Sequence, residues 1–395
     1  MARRELVSKA IAERSGQIVA FARELIAVPT ENPPGNAYPE CVELLEDRLR
    51  SFGLPVELVR LSPDRVALIA GVGEGPTLFL HGHYDVVPAS ASGQFTPSLE
   101  GSRLRGRGSA DMKGGIASMA FALVAVSGLR LGGRAELVLV PDEETGGEGG
   151  SRRLAELGRL GRNGIGAILG EPTSGRIWNA SRGALTLRVT VRGRPAHVGL
   201  HYQGSNAFES ALPILQALRG LKQEVERHRT SFRIAPEAAT ASILMLGGEV
   251  TGGHPFNVVP DRFSFSVERR FNPEEDLEAE RLRMLAAIRD STPAGVEAEI
   301  HVVQRGSSHA VGEDSALVRA LGSAVEEVCG SPTRCELCPG LLETRFYADA
   351  GVPAVAYGPG ELEVSHGPNE SVAVERLTEC AKVYALTALA LLGGR

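Results

Sequence analysis

No run of apolar residues in this 395-residue chain reaches the ~20 needed to span a bilayer; the longest late one, "VYALTALALLGG", predicts a final core helix instead. There is no basic block either. Lys and Arg are scattered, and the net charge of -6 sets the broad field against nucleic acid and anionic lipid, which leaves small polar substrates. The opening stretch "MARRELVSKAIAERSGQIVAFARELIAVPT" lacks the apolar block of a signal peptide and places Ile18, Phe21 and Leu25 at helical spacing, so no export signal is expected. Cysteine is sparse. Cys41, Cys329, Cys335, Cys338 and Cys380 form an odd set with no secretory cue, which predicts a reducing compartment with cytoplasm as the default. The pair in "CELC" has no second pair to complete a zinc knuckle and precedes "PG" instead of opening a helix, so it is expected to be a coincidence within a buried strand. "GVGEG" (Gly71 to Gly75) lacks G-x-G-x-x-G and runs into Pro76 and a strand, which predicts a turn and not a phosphate loop. Low-complexity tracts and internal repeats are missing as well.

What is present is an ordinary globular composition, 43% hydrophobic and 23% charged, in a chain too long for one core to grow efficiently, so two domains are expected. Helical patterns at about 3 to 28 and 37 to 52 precede the strand-like segments "PVELVR", "RVALIAG" and "TLFLHG". A helix near 114 to 127, the strand "AELVLV", a helix near 150 to 158 and the strand "GAILG" follow. This alternation predicts an α/β domain with a mainly parallel central sheet. Residues 182-304 read differently, as β-α-β-β-α-β, the order of a ferredoxin-like α+β unit; the α/β pattern resumes at 305. The small domain is therefore expected as an insertion, with 1-181 and 305-395 forming the larger one.

Ligands bind beyond the carboxyl ends of strands in open α/β sheets, and that is where the polar residues gather. "TLFLHGHYDVVP" ends at His81, His83 and Asp85; "LRGRGSADMKGG" delivers Asp111 before a helix; "LVLVPDEETGG" delivers Asp142, Glu143 and Glu144; "AILGEPTS" delivers Glu171; "EVSHGPNES" delivers His366. Imidazoles with several carboxylates suit Zn²⁺, Co²⁺ or Mn²⁺, and more ligands are on offer than one tetrahedral site uses. A pair of ions sharing one carboxylate would use them, and divalent charge would offset the repulsion between adjacent glutamates.

"GHYDVVP", "GRGSADMKGG", "DEETGG", "GEPTS", "RGRPAHVG", "NVVPD" and "SHGPNE", in this order, resemble the acetylornithine deacetylase and succinyl-diaminopimelate desuccinylase family, co-catalytic zinc amidohydrolases that also include aminoacylases and glutamate carboxypeptidases. The resemblance implies two divalent ions per chain, zinc with cobalt or manganese as alternatives. His83 and Glu171 would bind the first, Glu144 and His366 the second, with Asp111 bridging and Asp85 orienting His83. It makes Glu143 the general base toward a metal-activated water, and His197 the oxyanion donor, often across a dimer interface. Arg270 and Asn257 would line the pocket for a substrate carboxylate. The implied activity is hydrolysis of the amide of an N-acyl amino acid or short peptide, by a homodimer built on the inserted lid. A dipeptidase or carboxypeptidase of the same family, and a catalytically silent binding protein on the same fold, are the alternatives.

Other polar residues have plainer readings. His81 is expected to be a strand residue, and His201, His228, His254, His301 and His309 to be solvated. Asp142 reads as a turn cap. Arg182 could contact substrate or pair on the surface. Many relatives carry small hydroxyl residues and an aspartate where this chain has Leu341, Leu342 and Glu343, which implies a bulkier, more apolar pocket lining.

Overall fold

The computed structural model describes residues 2–393 apart from His254. His254, expected to be solvated, therefore lies outside the described residues. The chain divides into two compact units, Met1–Asn179 with Val311–Glu336 and Glu343–Arg395, and Ala180–Ala310 with Leu337–Leu342. The insertion expected at 182-304 thus runs slightly longer, and a short piece of the expected third segment joins it. Backbone bonding explains the transfer: Leu337 donates to the Arg233 carbonyl at 2.8 Å and Arg182 to the Cys338 carbonyl at 3.4 Å, all within the second unit.

In the first unit the sheet runs Val56–Arg60, Val66–Gly73, Arg134–Val140, Thr77–His83, Gly164–Leu169 and Ala354–Ala356, with Ile177–Ser181 beyond. Its centre is parallel, as expected, and its flanks are antiparallel. "TLFLHGH" is buried at every position, which is why Leu78, Phe79 and Leu80 follow one another without a polar–apolar alternation: a central parallel strand is covered on both faces. Helix Lys113–Ser127 is apolar all round for the same reason. It packs against Thr77–His83 on one side and against helices Ser15–Ala27 and Val374–Leu392 on the other, burying Ile116, Met119, Phe121 and Leu123 at about 1.5–3 kcal/mol each. Gly115 lets this helix approach the sheet: a Cβ there would lie 2.5 Å from the Gly170 carbonyl oxygen. "VYALTALALL" falls in Val374–Leu392, a core helix as expected, and no described helix is long and apolar enough to cross a membrane. "GVGEG" is a turn only at its end: Gly71–Gly73 close strand Val66–Gly73, and the chain turns after them, with Gly73 and Gly75 at positive φ. "CELC" is a strand, and none of the five cysteines is in a disulfide. Unexpected additions are strand Ile177–Ser181, helix Thr344–Asp349 and a three-stranded sheet of Ser98–Glu100, Arg103–Arg105 and Ser371–Ala373.

Register places the functional exits. Thr77–His83 lies between Arg134–Val140 and Gly164–Leu169, pairing His83 with Val140 and His81 with Leu169. Three parallel strands therefore end side by side, and the residues that follow them share one edge of the sheet.

The second unit has strands Gly183–Arg192, Ile243–Gly252, Arg262–Phe271 and Glu297–Gly306 and helices Ala207–Val225 and Leu277–Ser291, in the expected β-α-β-β-α-β order. The antiparallel sheet runs Ile243–Gly252, Arg262–Phe271, Gly183–Arg192, Glu297–Gly306. Leu185, Leu187, Val189 and Val191 alternate onto the face covered by the helices, against Ile214, Leu218, Met284 and Ile288.

Candidate active site

At the shared sheet edge, ligand atoms of His83, Asp111 and Glu144 lie within 4.8 Å of one another. His83 Nε2 is 3.2 Å from Asp111 Oδ1, and His366 Nε2 is 3.3 Å from both Asp111 Oδ2 and Glu144 Oε2. His366 reaches the cluster from a backbone at φ +62, a conformation few non-glycine residues adopt, and its ring is half exposed. Glu171 is buried at the neighbouring strand exit.

The electrostatics of this group call for positive charge. Burial, then the nearby Asp111, Glu343 and Glu144, push the Glu171 carboxyl up to about 8, with His83 opposing. Burial and the carboxylates of Glu171, Glu144 and Glu343 hold Glu143 well above the ordinary range, again against His83. Hydrogen bonds to Asp111 and Glu144 push His366 up to about 10. Several carboxylates and two imidazoles so close cannot all take their neutral-pH forms in isolation, and divalent cations resolve the conflict by replacing protons. The donor set, two imidazole nitrogens with carboxylate oxygens, fits such cations.

Asp85 does more than the sequence suggested. The nearest partner of His83 Nδ1 is the Asp85 backbone carbonyl at 3.0 Å, with the carboxylate at 3.5 Å. That carboxylate accepts the backbone N–H groups of Glu143 (3.2 Å) and Glu144 (3.1 Å) and the Asn32 amide (2.9 Å). One buried acid thus ties the first strand exit to the acidic turn. Asp142 also exceeds a cap: it is buried at φ +76, and its carboxylate accepts from Gly149 N–H at 2.7 Å, Thr145 Oγ1 at 2.9 Å and Arg65 at 3.2 Å.

Two residues have contacts that the sequence did not reveal. Glu370 Oε1 accepts the N–H groups of Gly108, Ala110 and Asp111 at 3.0, 3.0 and 3.1 Å, while its Oε2 meets buried Arg107 at 2.6 Å. Arg107 also donates to the His366 carbonyl at 3.1 Å, so the pair joins the Asp111 and His366 loops. "SHGPNES" carried Glu370 in plain view, but nothing local says that an acid will receive amides some 260 residues away. His81 is the second. It is a buried strand residue as expected, yet its Nε2 lies 2.7 Å from Glu343 Oε2 and its Nδ1 3.0 Å from the Tyr347 hydroxyl. Glu343 consequently departs from the expected apolar lining: it is buried on His81, while Leu341 and Leu342 belong to the second unit.

The remaining expected residues lie in the second unit. His197 and Asn257 are exposed neighbours: His197 bridges to Val258, and Val198 N–H donates to the Asn257 carbonyl at 2.9 Å. His197 Nδ1 accepts the Gly199 N–H at 3.1 Å, which leaves Nε2 as the protonated, donating nitrogen. Arg270 pairs with Glu268 and approaches Gln304 Oε1 at 3.5 Å. Arg182 is a correction. It is fully buried, so the surface pair is ruled out, and its guanidinium is taken up by the Ala239 carbonyl, the Ala241 carbonyl at 2.9 Å and Asn272 Oδ1 at 3.1 Å. His228, expected to be solvated, pairs with Glu275 at 3.1 Å.

A model of peptidase family M20/M25/M40 matches residues 79–390. The chain belongs to that family. Among its relatives, the M20 chain is 32% identical over 392 residues to the acetylornithine deacetylase of Myxococcus xanthus, covering 95% of this chain and 98% of that one. It is 30% identical over 383 residues to the succinyl-diaminopimelate desuccinylase of Thioalkalivibrio sulfidiphilus, covering 92% and 96%. In fold it is similar to an M20 family metallo-carboxypeptidase from Sulfolobus solfataricus, with TM-score 0.76 at 16% identity over 94% of this chain and 99% of that one. A dinuclear metal-binding M20 peptidase from Bacillus subtilis gives TM-score 0.71 at 17% identity over 98% and 99%. The M20 chain is an enzyme, a metallo-hydrolase acting on amides, and takes divalent metal ions.

Proposed function

We propose that this M20 hydrolase cleaves the amide of an N-acyl amino acid, with Glu143 as the general base. The observation that carries the reading is the contrast between the two adjacent glutamates. Glu144 is drawn into the cluster, 3.3 Å from His366, whereas no side chain among the described residues hydrogen-bonds the Glu143 carboxylate beside it. That contrast supports reading one acid as a cation ligand and its neighbour as the group that handles a proton.

His83 and Glu171 would hold one ion and Glu144 and His366 the other, with Asp111 between them; zinc suits the set, with cobalt or manganese as alternatives. When bound, the ions polarise the amide carbonyl and make a water at the site acidic. Glu143 accepts the proton and returns it to the leaving amine. His197 Nε2 donates to the developing oxyanion, and Arg270 with Asn257 grips the free carboxylate. The named relatives, a deacetylase and a desuccinylase, support the substrate class. Exposed apolar residues at Val198, Leu200, Tyr202, Phe208 and Leu212 support a two-fold homodimer formed by the second unit.

A metal-loaded preparation should be offered N-acetyl-L-ornithine, N-succinyl-diaminopimelate, other N-acyl amino acids and dipeptides. Turnover of an N-acyl amino acid that chelation abolishes is the expected result. Turnover of dipeptides alone would replace the deacylase by a dipeptidase.

A further inference from the structure

The acid of the proposed base sits on a weak element. Glu143–Thr145 is a single 3₁₀ turn, entered through Asp142 at φ +76 and left through Gly146 and Gly147 at φ +107 and +71, so no extended ladder holds it. Asp85 secures one side of the turn through the amides of Glu143 and Glu144. We propose that Glu343 and Arg345 secure the other, acting as positioning residues for Glu143; the inference rests on the reading of Glu143 as the base.

Both residues sit at the start of helix Thr344–Asp349, both are buried, and both face the turn. Arg345 donates to the Gly146 carbonyl at 2.6 Å, and its guanidinium lies over the Phe346 ring, 4.2 Å from the centroid. Gly147 lies directly on Glu343: a Cβ added there would sit 2.4 Å from Glu343 Oε1 and 3.1 Å from a Phe346 ring carbon. Only glycine has both the positive φ and the clearance, so the turn and the helix are matched surfaces. Glu343 is itself immobilised by His81 Nε2 at 2.7 Å, and His81 by the Tyr347 hydroxyl at 3.0 Å. Core packing does not explain the acid. Its Oε1 is buried with no hydrogen-bond partner among the described residues, a costly state that an apolar side chain would avoid. What the network does accomplish is to link the strand that delivers His83 to the turn that delivers Glu143 and Glu144.

The test uses the full-length, zinc-loaded protein and the variants Arg345→Met and Glu343→Gln, with Arg345→Lys as the conservative rescue. The Gly146 and Gly147 amides are hydrogen-bonded to Glu143 and Asp142 carbonyls at 2.7 Å, so their hydrogen exchange reports the turn directly. In Arg345→Met and Glu343→Gln exchange there should rise at least about tenfold, while strand Thr77–His83, zinc content and thermal midpoint hold; kcat on N-acetyl-L-ornithine should fall about 10- to 100-fold with KM within about twofold. Arg345→Lys should recover part of both effects. Unchanged exchange in Arg345→Met and Glu343→Gln overturns the proposal, and so does a loosened turn with unchanged kcat. Uniformly faster exchange across the sheet in Arg345→Met and Glu343→Gln, with Arg345→Lys giving no rescue, would reduce the network to a structural one. A Glu143→Ala protein with undiminished kcat would instead remove the base assignment, leaving the clamp to be judged by exchange alone.

Discussion

Asp111 addresses two histidines at once, its Oδ1 lying 3.2 Å from His83 Nε2 and its Oδ2 3.3 Å from His366 Nε2. A carboxylate with one oxygen turned to each imidazole is what the proposed bridge between two cations requires. Asp111→Ala should therefore cost more metal than any single-site variant. Elemental analysis after dialysis is expected to find about two ions per wild-type chain, about one after His366→Ala, and fewer than one after Asp111→Ala. Equal losses in the two variants would show that Asp111 does not bridge.

Glu143 and Glu144 are neighbours with separable consequences. Glu143→Ala should keep both metals and lose about 10²–10⁴-fold in kcat, the range of a positioned acid–base group. Glu144→Ala should lower occupancy first and activity through it. Parallel metal and rate measurements decide this, and metal loss in Glu143→Ala would exchange the roles.

The Glu370–Arg107 pair is buried at both ends and anchors the amides of Gly108, Ala110 and Asp111, so removing one partner strands a charge in the core. Arg107→Met should destabilise the metal-free protein by about 3–5 kcal/mol in urea unfolding. Glu370→Gln should weaken metal binding by about 10- to 100-fold, because Asp111 loses the carboxylate that orients its backbone. A full-affinity Glu370→Gln protein would make the pair purely structural.

His197→Ala should keep its metals and lose about 10²-fold or more in kcat, as expected when an oxyanion donor is removed. Mixing it with Glu143→Ala checks whether the histidine works in trans, since a mixed dimer has one site with an intact base and a partner's intact histidine. Recovered activity after subunit exchange supports sharing. A monomer in sedimentation would remove the dimer itself.

The sequence alone determined the main run of elements, the inserted β-α-β-β-α-β unit and the candidate ligands, because each is a local property: apolar runs mark buried strands, and His, Asp and Glu stand out at strand exits. Even His81 was legible as a strand residue. Tertiary structure decided what those residues touch. Glu343 is some 260 positions from His81 and Glu370 equally far from Asp111, and no local pattern tells an acid which distant amide or imidazole it will meet. The same limit left Arg182 between two readings, its partners lying about 60 to 90 residues on, and hid that the Asp85 carboxylate, 3.5 Å from His83 Nδ1, also holds the Glu143–Glu144 backbone. Residue chemistry is written in the chain; partners are selected only when burial forces every polar group to find one.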